Sequence, residues 1–247
     1  TDTSLLHHLI GRRSLEWNLA KNDIKKKFAG SYFGVVWAFV QPVITVLLSW
    51  FVFEKGLNSK ATDLRTGIEI PFVLWLTAGL VPWFYFQEAL NGGTGVLVEY
   101  SYLVKKVVFQ IDMLPVVKMI SALFTHLFFV AFTIVLFICM GYMPDWYALQ
   151  VVYYSFCMIL FATGLVYATS AVTVFFRDMK EVVGILLQIG MWVTPIMWNF
   201  ETMVQIPGWA ITVLKLNPMY YIVSGYRNAL INHIGFWEDM GLTVYFW

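Results

Sequence analysis

Long apolar stretches separated by short polar segments dominate the chain. Residues Gly34–Phe53 form the first stretch, 20 residues without a charge. A helix rises about 1.5 Å per residue, so about 20 apolar residues cross a hydrocarbon layer of about 30 Å. A sixth stretch begins near Met240, and we expect the sequence to end at Trp247 inside that last span. Between these lie four more: Pro71–Phe86, which we expect to continue towards Val98, Val116–Met140, Trp146–Phe176 and Val182–Trp198.

This pattern predicts an all-α polytopic membrane protein with six transmembrane helices. Composition agrees, because 60% of the residues are hydrophobic and 13% are charged, whereas a soluble domain carries about a quarter charged residues. With the N-terminus in the cytoplasm, eleven Lys and Arg residues flank the spans inside and five outside. Cytoplasmic flanks are enriched in basic residues, so both termini are predicted to be cytoplasmic. The net charge of +1 says nothing about nucleic acid, because no basic surface is left to bind it.

We expect one transmembrane domain over residues 1–247, with an amphipathic cytoplasmic segment at 1–33 and a membrane-spanning region at 34–247. In the first segment, apolar side chains recur every three to four residues beside several lysines. That pattern predicts a helix lying at the membrane interface; a plain basic anchor is the alternative. The interface-helix residues are Trp17, Ala20, Lys21, Ile24, Lys25, Lys26, Lys27 and Phe28.

Two further polar segments are unusual. Between the second and third spans, Glu99–Pro115 carries an apolar stripe, and Lys105 and Lys106 lie off it. The stripe consists of Leu103, Val107, Ile111 and Leu114. It reads either as a short cytoplasmic helix that docks on a soluble partner or as a connector lying on lipid. After the fifth span, Asn199–Asp239 is too apolar for a hydrated loop, and its prolines divide it into pieces. It predicts two short re-entrant helices in the outer leaflet, because irregular backbone at membrane depth must be buried in protein or line a cavity.

Few side chains in the apolar stretches carry chemistry. No acidic residue lies at mid-depth, which disfavours a proton relay, and His126 is more typical of hydrogen-bonded helix packing. Cys139 and Cys157 lack metal-ligand spacing, and neither a P-loop nor a catalytic constellation occurs. Aromatic faces stack on sugar rings, although most Trp and Tyr near span ends form interfacial belts. The candidates for lining a channel are Trp37, Gln41, Trp83, Tyr85, Gln188, Trp192 and Trp198.

Several blocks, taken in order, resemble the ABC-2 type permeases that export polysaccharides. They are FAGSYFGVVWAFVQP (Phe28–Pro42), YLVKKVVF (Tyr102–Phe109), FRD (Phe176–Asp178), TPIMW (Thr194–Trp198) and LNPMYYIVSGYR (Leu216–Arg227). One departure is Gln110, where the family usually has proline.

The resemblance implies a permease subunit of an exporter for lipid-linked O-antigen (in lipopolysaccharide biosynthesis), capsule or teichoic-acid polymers in the bacterial cytoplasmic membrane. It implies a homodimer paired with two ATP-binding subunits, which bind ATP and magnesium, and no cofactor or catalytic site in this chain. The implied coupling residues facing the ATPase are Tyr102, Leu103, Lys105, Lys106, Phe109 and Asp112. The implied outer re-entrant residues are Asn217, Pro218, Tyr220, Tyr221, Tyr226 and Arg227.

Three alternatives stay open. The nearest is an ABC-2 permease for a drug, a small lipid or a peptide. A membrane-embedded glycan-modifying enzyme would need an acid–base pair that neither His126 nor His233 supplies. A structural anchor would leave the outer apolar segment without an explanation. The sequence does not name the polymer.

Overall fold

The computed structural model describes residues 13–27, 32–104, 111–198 and 207–247. Helix α1 spans Arg13–Lys27. A 3-10 turn at Gly34–Val36 leads into α2, Trp37–Trp50, which a π-helical turn extends over Phe51–Gly56. A two-residue β-hairpin follows, with β1 at Ala61–Thr62 antiparallel to β2 at Glu69–Ile70.

Helix α3 spans Phe72–Thr94, and the short helices α4 (Val96–Glu99) and α5 (Ser101–Val104) follow it. The two longest helices are α6, Met113–Cys139, and α7, Gln150–Phe175, the latter preceded by a 3-10 turn at Trp146–Leu149. Helix α8 covers Met179–Val193. The last elements are α9 (Gly208–Lys215), α10 (Pro218–Arg227) with a π-helical turn at Asn228–Asn232, and α11 (Met240–Phe246).

Three helices of the described residues are long and apolar enough to cross a membrane. They cover Trp37–Gly56, Met113–Cys139 and Trp146–Phe175. These coincide with the first, third and fourth stretches predicted from the sequence. The outward faces are apolar, for example at Leu47, Leu48 and Phe51, as expected where lipid or another subunit covers a helix.

Helix α3 forms the centre of the bundle, with α6, α7, α8 and α10 packed around it. Its residues Leu74, Leu76, Leu80 and Trp83 are almost fully buried. Small residues permit the close approach: a Cβ at Gly93 would lie 2.4 Å from a methyl carbon of Val166 on α7. This second apolar stretch is therefore shielded by protein on nearly all sides, whereas α2 contacts the bundle only along one edge.

Four expectations need correction. Helix α8 ends at Val193, short of the predicted Trp198, because Pro195 disfavours helical backbone in the residue before it. Leu114 belongs to the buried start of α6, not to the stripe of a separate short helix. The buried face of α1 contains Asp23, an acidic residue absent from the predicted apolar stripe. The β-hairpin was not predicted.

The outer segment divides as predicted at its prolines, with α9 beginning after Pro207 and α10 at Pro218. Asn217 caps α10, since its side chain accepts a hydrogen bond from the Met219 amide at 3.0 Å. Helix α10 lies against α3 and α7, so it belongs to the core of the bundle. Packing of α10 thus satisfies the requirement that a broken backbone be covered by protein.

Candidate functional site

A buried carboxylate joins three segments at the end of the bundle where α6 begins. Asp23 on α1 is 5% exposed. It accepts hydrogen bonds from the Tyr100 hydroxyl at 2.6 Å and from the Lys118 ammonium at 2.7 Å. Lys118, on α6, also contacts the Glu99 carboxylate at 3.1 Å. We call these four residues the Asp23 network.

The Asp23 network lies immediately before the segment that the resemblance assigns to ATPase coupling. Burial raises the pKa of Tyr100, and its hydrogen bond to Asp23 raises that pKa further, so Tyr100 stays a neutral donor. Ser121 adds a hydrogen bond from its hydroxyl to the Ala20 carbonyl at 3.2 Å. Removal of one partner from a buried ion pair strongly destabilises the folded protein, because the other charge is left buried without compensation. The network therefore fixes α1 to the two ends of the coupling segment.

The described residues include only some of the predicted coupling residues. Tyr102 is exposed beside the Tyr100 ring, and Asp112 is exposed, with its carbonyl accepting a hydrogen bond from the Tyr167 hydroxyl at 2.8 Å. Leu103 belongs to α5. Lys105, Lys106 and Phe109 lie outside the described residues.

The interface-helix residues occupy α1, apart from Phe28, which lies outside the described residues. Trp17 packs on Phe124 of α6 with ring centroids 4.9 Å apart, and Lys21 lies over the Trp17 ring at 5.2 Å. Ile24 is half-buried and Lys25 is exposed, while Lys26 and Lys27 end the helix. The described apolar contact of this helix is thus with α6.

The candidate channel residues fall into two groups. Trp83 and Tyr85 are each 2% exposed within one chain, and the Trp83 ring covers Gly190 of α8. Trp198 is half-buried and donates a hydrogen bond from its ring nitrogen to the Trp192 carbonyl at 2.9 Å. The candidates that face outward are Trp37, Gln41, Gln188 and Trp192.

A polar cluster around His126 connects four helices inside the bundle. The His126 Nε2 atom lies 3.1 Å from the Tyr226 hydroxyl and 3.3 Å from the Ser155 hydroxyl. The edge of the His126 ring meets the Tyr85 ring, with centroids 5.2 Å apart. Neutral hydroxyl partners of this kind are typical of helix packing. Among the described residues, no group of His, Cys, Asp and Glu side chains could hold a metal ion.

The outer residues gather around α10, where Tyr220, Tyr221, Tyr226 and Arg227 are all buried. Arg227 donates hydrogen bonds to the Pro195 and Ile196 carbonyls, both at 2.7 Å. Its guanidinium carbon lies 3.3 Å from the centroid of the Trp75 ring, an arrangement that favours cation–π attraction. Arg227 therefore holds the break after α8 against α3.

Three neutral contacts complete this arrangement. The Asn217 amide donates to the Thr194 hydroxyl at 2.7 Å, and Pro218 begins α10. The Tyr221 hydroxyl lies 3.1 Å from the hydroxyls of Tyr153 and Thr243. Sequence reasoning gathered these residues in one block but gave no indication of their partners.

Apolar helices joined at their ends by a few buried polar contacts are the architecture of an integral membrane protein. The chain belongs to the ABC-2 type transporter family, whose model matches residues 15–231.

Two relatives are similar over most of their length, and both are named O-antigen export system permease protein RfbA. The protein from Myxococcus xanthus is 25% identical over 229 residues, which cover 93% of this chain and 85% of that protein. The protein from Klebsiella pneumoniae is 21% identical over 222 residues, which cover 87% and 80%. The match to the family model shows the family, and with it the role of a transporter's membrane subunit rather than of an enzyme acting alone.

Proposed function

We propose that this chain is the transmembrane subunit of an ATP-driven exporter that moves a lipid-linked polysaccharide across the bacterial cytoplasmic membrane. The observation that carries the proposal is the match to two O-antigen export permeases over at least 80% of every chain compared. A permease of the same family for a drug, a small lipid or a peptide is the alternative. O-antigen is the substrate class that the relatives favour, with capsule and teichoic-acid polymers as chemically related cargo.

In this proposal six spans cross the membrane with both termini in the cytoplasm, and two copies of the chain enclose the path. The apolar outward faces of α2 and α8, with Leu47, Ile185 and Trp192 exposed, support a second copy or lipid covering them. Trp37 and Trp192 are then the candidate aromatic surfaces for sugar rings, because they are exposed in one chain.

Two ATP-binding subunits supply the energy, since no P-loop occurs in the chain. They would contact the segment Ser101–Asp112, which the Asp23 network ties to α1 on one side and to α6 on the other. Movement of that segment would reach α6 through Lys118 and α1 through Asp23. The network is thus the connection through which ATP binding would shift the spans.

Affinity purification of the chain from its native membrane tests the proposal. In mild detergent we expect an ATPase with a P-loop to co-purify, together with a polyprenyl-phosphate or polyprenyl-diphosphate glycan detected by mass spectrometry. Depletion of the chain in cells should make the same glycan accumulate inside and disappear from the surface. Unchanged surface glycan after depletion, with a drug or simple lipid bound instead, would establish the alternative cargo.

Charge reversal tests the coupling segment separately. Lys105→Glu with Lys106→Glu should leave the complex in the membrane but reduce export per ATP hydrolysed, while Lys215→Glu on α9 serves as the control. Equal export per ATP hydrolysed by the unmodified chain, the double variant and the control would show that the two lysines do not have this role.

A further inference from the structure

A cavity of about 300 Å³ opens beside the Asp23 network. It lies between the end of α3, helix α4 and the junction of α7 with α8. Glu99 belongs both to the cavity wall and to the network. The residues lining the cavity are Asn91, Gly92, Gly95, Val98, Glu99, Thr173, Arg177 and Lys180.

The cavity carries an excess of positive charge. Arg177 and Lys180 contribute two cations, and within the described part of the chain neither forms an ion pair. The wall has one carboxylate, Glu99, which shares the Lys118 ammonium with Asp23, so the two cations still leave a net positive charge. An anion entering the cavity would therefore meet two cations that form no ion pair among the described residues.

Two glycines shape the wall on which the lysine side chains rest. A Cβ at Gly92 would lie 3.6 Å from the Lys118 side chain, and a Cβ at Gly95 would lie 3.6 Å from the Lys180 side chain. The absence of side chains at these positions lets both aliphatic stems lie against the backbone of the α3–α4 junction. Asn91 offers a neutral amide donor, whereas the Thr173 hydroxyl already donates to the Thr169 carbonyl at 2.7 Å.

We propose that this cavity binds a phosphate or diphosphate group, with Arg177 and Lys180 as its principal contacts. A guanidinium matches phosphate oxygens with two parallel N–H donors, and an ammonium adds a compact charge. The volume admits a diphosphate and excludes a sugar chain, which would extend beyond the opening. The group could come from a lipid-linked glycan or from a soluble phosphate compound, and only the first source rests on the proposed function.

Occupancy of the cavity would act on the Asp23 network. A bound diphosphate would repel the Glu99 carboxylate, which forms an ion pair with Lys118. It would also attract the Lys118 ammonium towards the cavity. The binding site and the coupling segment thus share one carboxylate. A substrate headgroup would in this way alter the junction that faces the ATPase.

Binding measurements on the full chain in nanodiscs of uncharged phospholipid test the site. The probes are inorganic pyrophosphate, added to the solution, and undecaprenyl diphosphate, incorporated in the disc. We expect Arg177→Gln with Lys180→Gln to weaken binding about tenfold or more, since a hydrogen bond to a charged group is worth roughly tenfold or more in affinity. Arg177→Lys with Lys180→Arg should retain most of the binding, and Lys215→Gln removes an equally exposed cation elsewhere as the control.

The two probes separate the sources of the phosphate. Weaker binding of both, with pyrophosphate competing against the lipid, assigns the site to the shared phosphate chemistry. Weaker binding of the lipid alone assigns it to a lipid headgroup, and weaker binding of pyrophosphate alone assigns it to a soluble compound. Unchanged affinity for both probes would overturn the site.

The site and the exporter function can fail independently. Unchanged binding alongside loss of surface glycan on depletion would overturn only the site. Weakened binding alongside unchanged surface glycan would overturn only the export of a polysaccharide. Both variants change exposed side chains, so matching elution and helix content with the unmodified chain verifies that the fold is intact.

Discussion

Replacement of Asp23 by asparagine tests the buried ion pair on which the coupling model depends. Asparagine keeps the size of the side chain and an acceptor for the Tyr100 hydroxyl, but it removes the charge beside Lys118. The Asp23 and Lys118 side chains are only 7% and 13% exposed. The substitution therefore leaves an ammonium group in a mostly desolvated position.

The expected loss follows from the surroundings of Lys118. Removing one partner of a buried ion pair costs about 3–5 kcal/mol. Lys118 retains Glu99, but that carboxylate is 53% exposed, and an exposed pair contributes about 0–1 kcal/mol. We therefore expect Asp23→Asn to lower the free energy of unfolding by about 2–5 kcal/mol.

A double-mutant cycle isolates the pair. Asp23→Asn, Lys118→Met and their combination are unfolded in mixed micelles of rising SDS fraction and followed by circular dichroism. The coupling free energy between the two positions should be about 1–3 kcal/mol. Lys60 and Glu69 provide a matched control, because their charged groups are 2.8 Å apart, against 2.7 Å for the buried pair, but their side chains are 58% and 64% exposed.

The control sets the criterion for refutation. For Lys60→Met with Glu69→Gln we expect a coupling free energy below about 1 kcal/mol. A coupling at Asp23 and Lys118 no larger than that of the exposed pair would show that burial does not strengthen the interaction. The assignment of the network as a rigid connection would then be wrong.

Three further predictions concern the other contacts. Gly225→Ala should lower the unfolding free energy by roughly 1–3 kcal/mol, because its Cβ would lie 2.2 Å from a Tyr154 ring atom. The control is Gly184→Ala, which should not destabilise the protein because no atom lies within 4 Å of the added Cβ. Equal stability of the two variants would contradict the packing. Arg227→Lys should lower the unfolding free energy by about 1–3 kcal/mol and speed hydrogen exchange at residues 194–198, because lysine cannot reach both the Pro195 and the Ile196 carbonyl. Exchange as slow as in the unmodified chain would show that Arg227 does not hold this segment. Partial burial raises the pKa of Asp63, but hydrogen bonds from Thr66 and Arg65 and the attraction of His233 outweigh it and hold that pKa below its ordinary value. The ionised carboxylate therefore stabilises the loop at a pH above the ordinary pKa, and this stabilisation is lost as the pH falls through the pKa of the folded state. Amide exchange of Thr66 should accelerate on acidification and should already be fast in Asp63→Asn. Protection of that amide that does not depend on pH would contradict the prediction.

Helix positions followed from the sequence because length and continuous apolarity are local properties. The stretches around α2, α6 and α7 lie within a few residues of the helices observed. Pro195 also indicated the early end of α8, but the apolar stretch continues past it, so the sequence pattern predicted a longer helix. The divisions of the outer segment at Pro207 and Pro218 were recognised from the same local signal.

The polar contacts could not be predicted, because their partners are distant in sequence. Asp23 meets residues 77 and 95 positions away, and a search for apolar spacing passes over an acidic residue. Its spacing of three from Ala20 was the available signal that both occupy one helix face. Arg227 was counted among the outer basic residues, although its hydrogen bonds lie 31 and 32 positions away inside the bundle.

Residues that line a transport path are still harder to predict from the sequence, because their exposure depends on the neighbouring helices and chains. Trp83 was selected for its place in an aromatic cluster, and it proves to fill the contact between α3 and α8. Trp192 has the same side chain on an exposed face. Periodicity does not distinguish these two environments in a helix that is apolar all round.

Transport in a reconstituted system tests the central claim most directly. The chain and its co-purified ATPase are placed in proteoliposomes containing the native lipid-linked glycan, and movement is followed by the accessibility of the glycan to a membrane-impermeant lectin. We predict ATP-dependent transfer of the glycan between leaflets, reduced by Asp23→Asn. Transfer that is absent, or that is the same with and without ATP, would contradict the account.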